Sequence, residues 1–509
     1  MDKRKAGVLL PVSALMSEYG IGDFGVNAKF FVDYIREIGF KVWQVLPITT
    51  IGAGNSPYSA VSAFAGNYML IDVTALGDNL ISQDELNQFK VISPYKVEYH
   101  FARVNKRKIL EIAYSRIDEG YRNNVREFAE KEKSWLYDYA MYMAIRDTKL
   151  KSLNEGSSGI DAEWRSWEKP LRDRKKEALD KFFKENQQLV EYYYFEQYVF
   201  FKQWLALKAY ANSQDVEIFG DMPIYVSLNS SDVWANKEIF MLDKEDNPTE
   251  VAGVPPDYFA KDGQLWGNPL YDYKKLKLRD YDWFIDRILH NFKLYDILRI
   301  DHFRGLCEYW AVPTTATTAK EGKWKEGPGM DLWKALEKKV KSPKIVAEDL
   351  GIIDEKVEKF LCDSGFPGMR VMQFGFDGSK TNPHLPYNYI KNTVAYTGTH
   401  DNDTTLGWLQ KLDNFVRRNV LEYIDVDESD SWGAGGKYSK GVRAIARVLF
   451  ASSANLVVMP VQDLSAYGSD TRINVPGVAE GNWEYRCTLS TLDDVDLDYY
   501  RFLIRTYGR

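Results

Sequence analysis

Residues 295–301 read YDILRID, an apolar run that ends in an acidic residue and is followed by His302. Runs of this kind are typical of buried parallel strands, which are covered on both faces of the sheet. Eight such runs recur along the chain, separated by segments long enough for helices; they are residues 7–12, 42–48, 217–226, 295–301, 344–350, 369–376, 394–401 and 456–463. Eight parallel strands close a TIM-type barrel, so the sequence predicts an α/β fold of the (β/α)8 class.

Two of the connections between these runs are much longer than a single crossover requires. Residues 49–216, between the second and third strands, carry amphipathic helix patterns at 102–118, 122–144 and 189–211. We predict a helix-rich subdomain there, inserted at the upper rim of the barrel. Residues 227–280, between the third and fourth strands, are poor in helix pattern and rich in Pro, Gly, Asp and aromatic residues, which predicts a long loop over the active site. The chain as a whole, residues 1–509, is thus interpreted as one decorated catalytic barrel.

Composition argues against several classes of protein. The chain has 66 Lys and Arg residues against 73 Asp and Glu residues, a net charge of −7, without the basic stripe that nucleic-acid binding requires. The apolar start of the chain is short and contains Pro11, so we interpret it as a buried strand and expect neither a signal peptide nor a membrane span. Three scattered cysteines are too few for a disulfide framework or a structural zinc site, which favours the cytoplasm.

The ends of the predicted strands carry the residues that indicate chemistry. In barrels of this class the reactive groups lie at the C-terminal ends of the strands, where the loops converge. Carboxylates end at least five of the strands; they are Asp221, Asp301, Glu348, Asp401 and Asp463. A lone aspartate at such a position is usually the N-cap of the following helix. The cluster of Arg299, Asp301 and His302, next to an acidic fifth strand, favours a catalytic site instead.

Two of these carboxylates suit the cleavage of a glycosidic bond. Cleavage with retention of configuration needs two carboxyl groups about 5 to 5.5 Å apart, one to attack the anomeric carbon and one to protonate the leaving oxygen. Adjacent strands lie about 4.8 Å apart, so Asp301 and Glu348 could face each other across the scissile bond. Side chains alternate along a strand, which puts Arg299 on the same face as Asp301, where its guanidinium would keep that nucleophile ionised.

Alternatives stay open at several positions. The pattern does not choose between Glu348 and Asp349 as the acid, because adjacent residues point to opposite faces of a strand. His302 and His400 would donate hydrogen bonds to sugar hydroxyls, and Asp401 could hold the 2-OH and 3-OH and distort the ring. Each histidine could instead be a partly buried residue with structural partners, and residues 400–401 could form an ordinary turn.

Taken together, the strand-end motifs resemble the α-amylase clan of retaining glycosidases, and the fuller pattern resembles 4-α-glucanotransferases of the amylomaltase, or disproportionating enzyme, type. The motifs closer to amylomaltase are NSPYS (55–59), GDMPIYV (220–226), AGVPPDYF (252–259), QLWGNP (264–269) and RINVPG (472–477). The resemblance extends over residues 7–486, and the number and order of the short motifs make it specific.

The resemblance implies a role for each residue of the site. It implies Asp301 as the nucleophile, Glu348 as the general acid/base and Asp401 as the stabiliser of the transition state. The substrate-binding residues that it implies are Tyr58, Asp221, Asp257, Gln264, Trp266, Asn268, Arg299, His302, His400 and Asn474. Tyr58 could equally be one packing tyrosine among 33, and Trp266 could be a loop anchor. The chemistry requires no metal and no cofactor.

The expected activity is transfer between glucose chains. The enzyme would cleave α-1,4-glucan through a covalent glucosyl-enzyme on Asp301 and pass the segment to the 4-OH of glucose or a maltooligosaccharide. An amylase-like hydrolase is one alternative, and a non-catalytic glucan-binding barrel is another. Aromatic residues within 251–271 could exclude water and bind an acceptor, which favours transfer. All three catalytic carboxylates are present, which argues against a non-catalytic protein. The oligomeric state is not predicted.

Overall fold

The computed structural model describes residues 3–152, 162–256, 261–351 and 353–509. The strands within these ranges are β1 (Lys5–Leu9), β2 (Val42–Gln44), β3 (Glu217–Pro223), β4 (Glu250–Val254), β5 (Gln264–Pro269), β6 (Ile297–Asp301), β7 (Glu308–Pro313), β8 (Lys323–Glu326), β9 (Ile345–Ala347), β10 (Gly368–Val371), β11 (Thr393–Tyr396) and β12 (Leu456–Pro460).

The helices follow the same numbering along the chain. They are α1 (Val26–Ile38), α2 (Gln83–Asn87), α3 (Tyr99–Arg116), α4 (Glu119–Lys131), α5 (Lys133–Ser152), α6 (Lys169–Arg172), α7 (Lys176–Glu185), α8 (Gln187–Ser213), α9 (Ser231–Ala235), α10 (Tyr273–Leu278), α11 (Asp282–Leu294), α12 (Met330–Glu337), α13 (Glu355–Ser364), α14 (Thr405–Lys411), α15 (Asn414–Tyr423), α16 (Lys440–Ala451), α17 (Val461–Leu464), α18 (Leu489–Asp493) and α19 (Leu497–Tyr507). In the part of the chain that the structure describes, no helix combines the length and apolar character needed to cross a bilayer.

Eight parallel strands close into a barrel in the order β1-β12-β11-β10-β9-β6-β3-β2. Each of the eight predicted runs supplies one of them, so the predicted barrel is confirmed. The strands end earlier than the runs do: Val45, Leu46 and Ile48 are still buried although strand pairing stops at Gln44. Apolar sequence continues there because the loops above the strands are packed against the rim, where burial no longer depends on strand pairing.

Strand β3 packs closely against Tyr295 at Gly220, the residue immediately before Asp221. A Cβ added at Gly220 on β3 would lie 2.1 Å from the ring of Tyr295, so only glycine allows this approach. Gly220 pairs with Leu298 and Asp221 pairs with Arg299 in the register of β3 with β6. The close contact therefore fixes β3 where its next residue, Asp221, meets β6.

Helices α2 to α8 lie between β2 and β3, in the segment where helices were predicted. The predicted helix at residues 122–144 is in fact two, since α4 ends at Lys131 and α5 begins at Lys133. Glu132, between them, accepts hydrogen bonds from Trp135 and Lys293, which holds the chain at the break. The long helix α8 fixes the loop after β2, because the Gln197 side chain accepts from the Gly66 amide and donates to its carbonyl, at 2.7 and 2.9 Å.

A second, antiparallel sheet lies outside the barrel in the order β5-β4-β7-β8. Strands β4 and β5 lie within residues 227–280, so the prediction of a long loop missed regular structure there. The reason is that β4 pairs with β7, whose residues follow the fourth barrel strand, and pairing between segments distant in sequence leaves little local pattern. β5, with the sequence QLWGNP, also contains Gly and Pro, which are uncommon within strands.

Candidate active site

Two carboxylates meet at the ends of adjacent barrel strands. Ile300 on β6 pairs with Ala347 on β9, so Asp301 and Glu348 are the next residues on neighbouring strands. The amide nitrogen of His302 donates to Oε2 of Glu348 at 2.8 Å. The φ of His302 is 53°, a left-handed conformation that is uncommon outside glycine and recurs at active sites.

The structure distinguishes Glu348 from its neighbour Asp349. Asp349 is buried and accepts hydrogen bonds from the Met369 amide and the Arg370 guanidinium, both at 2.6 Å. It therefore holds β10 against the end of β9, whereas Glu348 lies beside the Asp301 strand end. In this packing Glu348, and not Asp349, is the carboxyl group on the side of the Asp301 strand end.

Glu348 titrates near neutral pH. Burial raises its pKa, the Arg299 guanidinium lowers it and the charge of Asp301 raises it, with a resulting pKa of about 7. A carboxyl group with such a pKa can give up a proton and take one back at neutral pH.

Arg299 joins two carboxylates below the mouth of the barrel. Its guanidinium lies 2.7 Å from Oδ2 of Asp221 and 2.8 Å from Oδ1 of Asp301. The contact with Asp301 was predicted from the shared face of Arg299 and Asp301. Asp221 also accepts a hydrogen bond of 2.6 Å from the Tyr58 hydroxyl. Burial raises the pKa of Asp221 against the opposing effect of Arg299. The side chain of Asp221 is 0% exposed, so a direct glucose contact there would require Tyr58 or Arg299 to move.

The loop after β11 presents Asp401. Its Oδ2 lies 3.2 Å from Nε2 of His400, and its Oδ1 accepts a 2.6 Å hydrogen bond from Nδ2 of Asn474. Burial would raise the pKa of Asp401, but the charge and hydrogen bond of His400, the Asn474 amide and Arg299 together lower it to about 2. The side chain is still 43% exposed. Asp401 is thus an accessible, ionised carboxylate at neutral pH.

Two aromatic contacts border the carboxylates. The rings of Tyr58 and His400 are stacked, with centroids 5.1 Å apart and planes 13° from parallel. On the other side, Trp266 on β5 lies edge-on to His302. Burial lowers the pKa of His302 to about 4, so this imidazole is neutral at neutral pH. Its Nε2 has no hydrogen-bond partner among the residues that the structure describes.

Two further predicted substrate contacts, Gln264 and Asn268, lie on β5. The indole of Trp266 donates to Gln264, at 3.1 Å. Nδ2 of Asn268 donates to the Val226 carbonyl at 2.9 Å, a bond that fixes β5 to the loop after β3. Asp257 lies outside the described residues.

Sequence reasoning missed two residues of the site. Trp483 lies beside both stacked rings, 5.8 Å from Tyr58 and 5.9 Å from His400 between centroids. Arg472 donates to the Asp401 carbonyl at 2.5 Å. Arg472 belongs to the RINVPG motif and could have been identified as a site residue from that motif. Trp483 lies neither at a strand end nor in one of the motifs, so nothing in the sequence indicated its place in the site.

The comparisons with known proteins identify the family of the chain. A family model described as 4-alpha-glucanotransferase matches residues 10–491. A 4-alpha-glucanotransferase of Clostridium butyricum is 40% identical, over 98% of this chain and 99% of the relative. A chloroplastic/amyloplastic 4-alpha-glucanotransferase of Arabidopsis thaliana is 39% identical, over 100% of this chain and 86% of the relative.

A solved structure is similar over the whole chain. The amylomaltase from Streptococcus agalactiae, in complex with acarbose, superposes with a TM-score of 0.93 at 36% identity and covers 100% of both chains. These findings confirm the resemblance that the strand-end motifs indicated. The chain belongs to the 4-alpha-glucanotransferase family.

Proposed function

We propose that this protein is a retaining 4-α-glucanotransferase that cleaves an α-1,4-glucan and transfers the released segment to the 4-OH of glucose or another maltooligosaccharide. The observation that carries the proposal is the position of Asp301 and Glu348, each directly after the paired residues Ile300 and Ala347 of adjacent strands, with the pKa of Glu348 at about 7. One carboxylate is thereby available to attack, and one carboxyl group is available to donate a proton.

In the first half of the reaction, a carboxylate oxygen of Asp301 attacks C1 of the donor glucose. The bond between C1 and the glycosidic oxygen breaks, and Glu348 gives its proton to that oxygen as the leaving chain departs. The product is a glucosyl ester on Asp301 and an ionised Glu348. Arg299, 2.8 Å from Asp301, orients the attacking carboxylate.

In the second half, the pKa of Glu348 changes with the charge of its neighbour. Ester formation neutralises Asp301 and so removes one of the influences that raise this pKa, while Arg299, which lowers it, is unchanged. Glu348 becomes the stronger acid and is held as the carboxylate. It takes the proton from the acceptor 4-OH, whose oxygen attacks C1 and releases Asp301, with net retention of configuration.

The surrounding residues hold the sugar at the cleavage point. Asp401, with its low pKa, would accept hydrogen bonds from the 2-OH and 3-OH as the ring distorts. The neutral His302 and the buried His400 would bond to further hydroxyls. We assign Asp221 the task of orienting Arg299 and Tyr58, in keeping with its complete burial. Contacts of Asp257, Gln264, Asn268 and Asn474 with the glucan path are proposed from the family resemblance alone.

Transfer is favoured over hydrolysis by the cover above His302. Trp266 lies on a sheet strand with its ring against the imidazole, and the residue is 38% exposed. A ring in this place would shield the ester from water and offer an acceptor sugar an apolar face. We further propose that the reaction belongs to the cytoplasmic metabolism of glycogen, starch or maltose, which the unpaired state of Cys307, Cys362 and Cys487 supports.

Chromatography of the products from maltotriose tests the reaction type. A transferase gives glucose together with a ladder of oligosaccharides longer than maltotriose, since each cleaved segment is added to another chain. A hydrolase gives glucose and maltose without longer products, and that outcome would contradict the proposal. The Asp301→Asn variant serves as the control for contaminating activity, because it lacks the attacking carboxylate.

A further inference from the structure

Trp483 is the third ring of an aromatic group at the site. Its centroid lies 5.8 Å from Tyr58 and 5.9 Å from His400, with the planes tilted by 42° and 36°. The two stacked rings are thus supported from the side by an indole that contacts both of them. This contact is made by a residue that contributes no charge and no nucleophile to the reaction.

The two stacked rings are each tied to a carboxylate of the site. The Tyr58 hydroxyl donates to Asp221, and Nε2 of His400 lies beside Asp401. A tilt or slide of the stack would therefore change the position of the proton donor at both carboxylates. A contact that holds the two rings in place therefore also holds the hydrogen-bond donors of Tyr58 and His400 in place beside Asp221 and Asp401.

The backbone of Trp483 is itself held in an unusual conformation. Its φ is 67°, in the left-handed region that bulky side chains seldom adopt and that persists where the surroundings impose it. The Trp483 amide donates to the Ile473 carbonyl at 2.7 Å, and the Trp483 carbonyl accepts from the Tyr99 hydroxyl at 3.0 Å. Tyr99 begins α3, so the helical segment between β2 and β3 contributes to the placement of this indole.

Trp483 and Asn474 lie at the two ends of one loop. The loop is closed by the bond from Trp483 to Ile473, and Asn482 braces its turn through hydrogen bonds with the backbone of Val475 and Val478. At one end of the loop the Asn474 side chain donates a hydrogen bond to Asp401, and at the other end the Trp483 ring lies beside His400. The loop therefore acts on the Asp401 carboxylate both directly and through the imidazole.

We propose that Trp483 is a positioning residue of the transfer reaction, which holds the stacked rings of Tyr58 and His400 at the orientation in which His400 bonds to Asp401. The inference rests on the proposed function and extends it to a residue that acts through its neighbours. A purely structural tryptophan would instead affect the stability of the fold and change activity independently of His400.

A double-mutant cycle between Trp483 and His400 separates these two roles. Trp483→Ala should lower kcat by about 10²-fold with little change in KM, the loss expected from a misplacement of about 1 Å. In the His400→Asn background the same substitution should cost less than about threefold, because the residue through which it acts is already gone. Trp483→Phe, which keeps a ring, should recover most of the rate. An equal loss in both backgrounds, or unchanged kcat in Trp483→Ala, overturns the proposal.

Two further variants test whether a loss of activity in Trp483→Ala has another cause. Tyr99→Phe removes only the hydroxyl that bonds to the Trp483 carbonyl. This variant should lower kcat in the wild-type background but not in the His400→Asn background. If Trp483→Ala does not fold, the comparison of these two backgrounds tests the proposal instead. Trp432→Ala, at a tryptophan that lies against Arg417, is the matched control and should keep the wild-type kcat. Activity retained in Asp301→Asn would count against the proposed function itself, whereas wild-type kcat in Trp483→Ala alongside an inactive Asp301→Asn would count only against the role of Trp483.

Discussion

Trp266 lies edge-on against the imidazole of His302, with ring centroids 4.8 Å apart and planes at 82°. The contact joins the antiparallel sheet, through β5, to the residue that follows Asp301. The ring that covers His302 is therefore part of a regular sheet, and in the proposed reaction it would shield the glucosyl ester from water.

Removal of the indole should shift the enzyme from transfer towards hydrolysis. In Trp266→Ala we expect the number of new reducing ends formed per cleavage of maltotriose to rise severalfold, since water gains access to the ester and the acceptor loses its apolar platform. Trp266→Phe keeps a ring and should stay close to the wild type. An unchanged ratio of hydrolysis to transfer in Trp266→Ala would show that water is excluded by other groups.

Donor cleavage should depend on pH through Glu348. The acid form donates the proton, and the pKa of this group in the free enzyme is raised to about 7. The value of kcat/KM for the donor should therefore fall as the pH rises above about 7, roughly tenfold per unit. Single-turnover rates measured between pH 5 and 9 test this, and a decline that persists at the same pH in Glu348→Gln would assign the titration to another residue.

The raised pKa of Glu348 should also make the free energy of unfolding depend on pH. The folded-state pKa of Glu348 lies above its unfolded value, so its contribution is fully present below the unfolded pKa and is lost as the pH rises through about 7. Glu348→Gln should therefore be more stable than the wild type at pH 8, and this advantage should disappear at pH 4. Urea unfolding at the two pH values measures the difference.

Asp349→Asn is the matched control for that experiment. It should destabilise the protein at pH 8 by about 1 to 3 kcal/mol, because the Arg370 guanidinium loses its charged acceptor. If both variants lowered stability at pH 8, the unfavourable burial of Glu348 would be contradicted.

Arg299 should be required for both folding and activity. Arg299→Met leaves Asp221 buried without its cation, and breaking a buried pair of this kind costs about 3 to 5 kcal/mol. Adding Asp221→Asn to that variant should restore part of the free energy of unfolding but not the activity, since Asp301 still lacks its partner. Urea unfolding and maltotriose turnover of the single and double variants measure both effects, and additive losses of stability would contradict the coupling.

The barrel and the positions of Asp301 and Glu348 at its rim were predictable because each depends on local sequence. An apolar run that ends in Asp301, or in Glu348, specifies both the strand and the rim at which it ends. The choice between Glu348 and Asp349 was not predictable, since it depends on which one meets the Arg370 side chain of the next strand. Only the packed structure supplies that information.

The features that sequence reasoning missed depend on contacts between distant segments. β4 lies between β5 and β7 in the second sheet, and β7 comes from the chain beyond β6. Trp483 reaches the site through a closed loop that begins at Ile473, and the burial of Asp221 follows from Tyr58, which comes from the segment after β2. None of these relationships leaves a periodic pattern in the chain.

Mass spectrometry of a trapped intermediate tests the central claim most directly. Glu348→Gln should still react with α-maltosyl fluoride, because fluoride leaves without a proton, but it lacks the base that resolves the ester. Peptide mapping after acid quench should then find one maltosyl group on the peptide that contains Asp301, and none when Asp301→Asn is added. A maltosyl group on another residue such as Asp401, or none on the protein while the fluoride is consumed, would contradict the account.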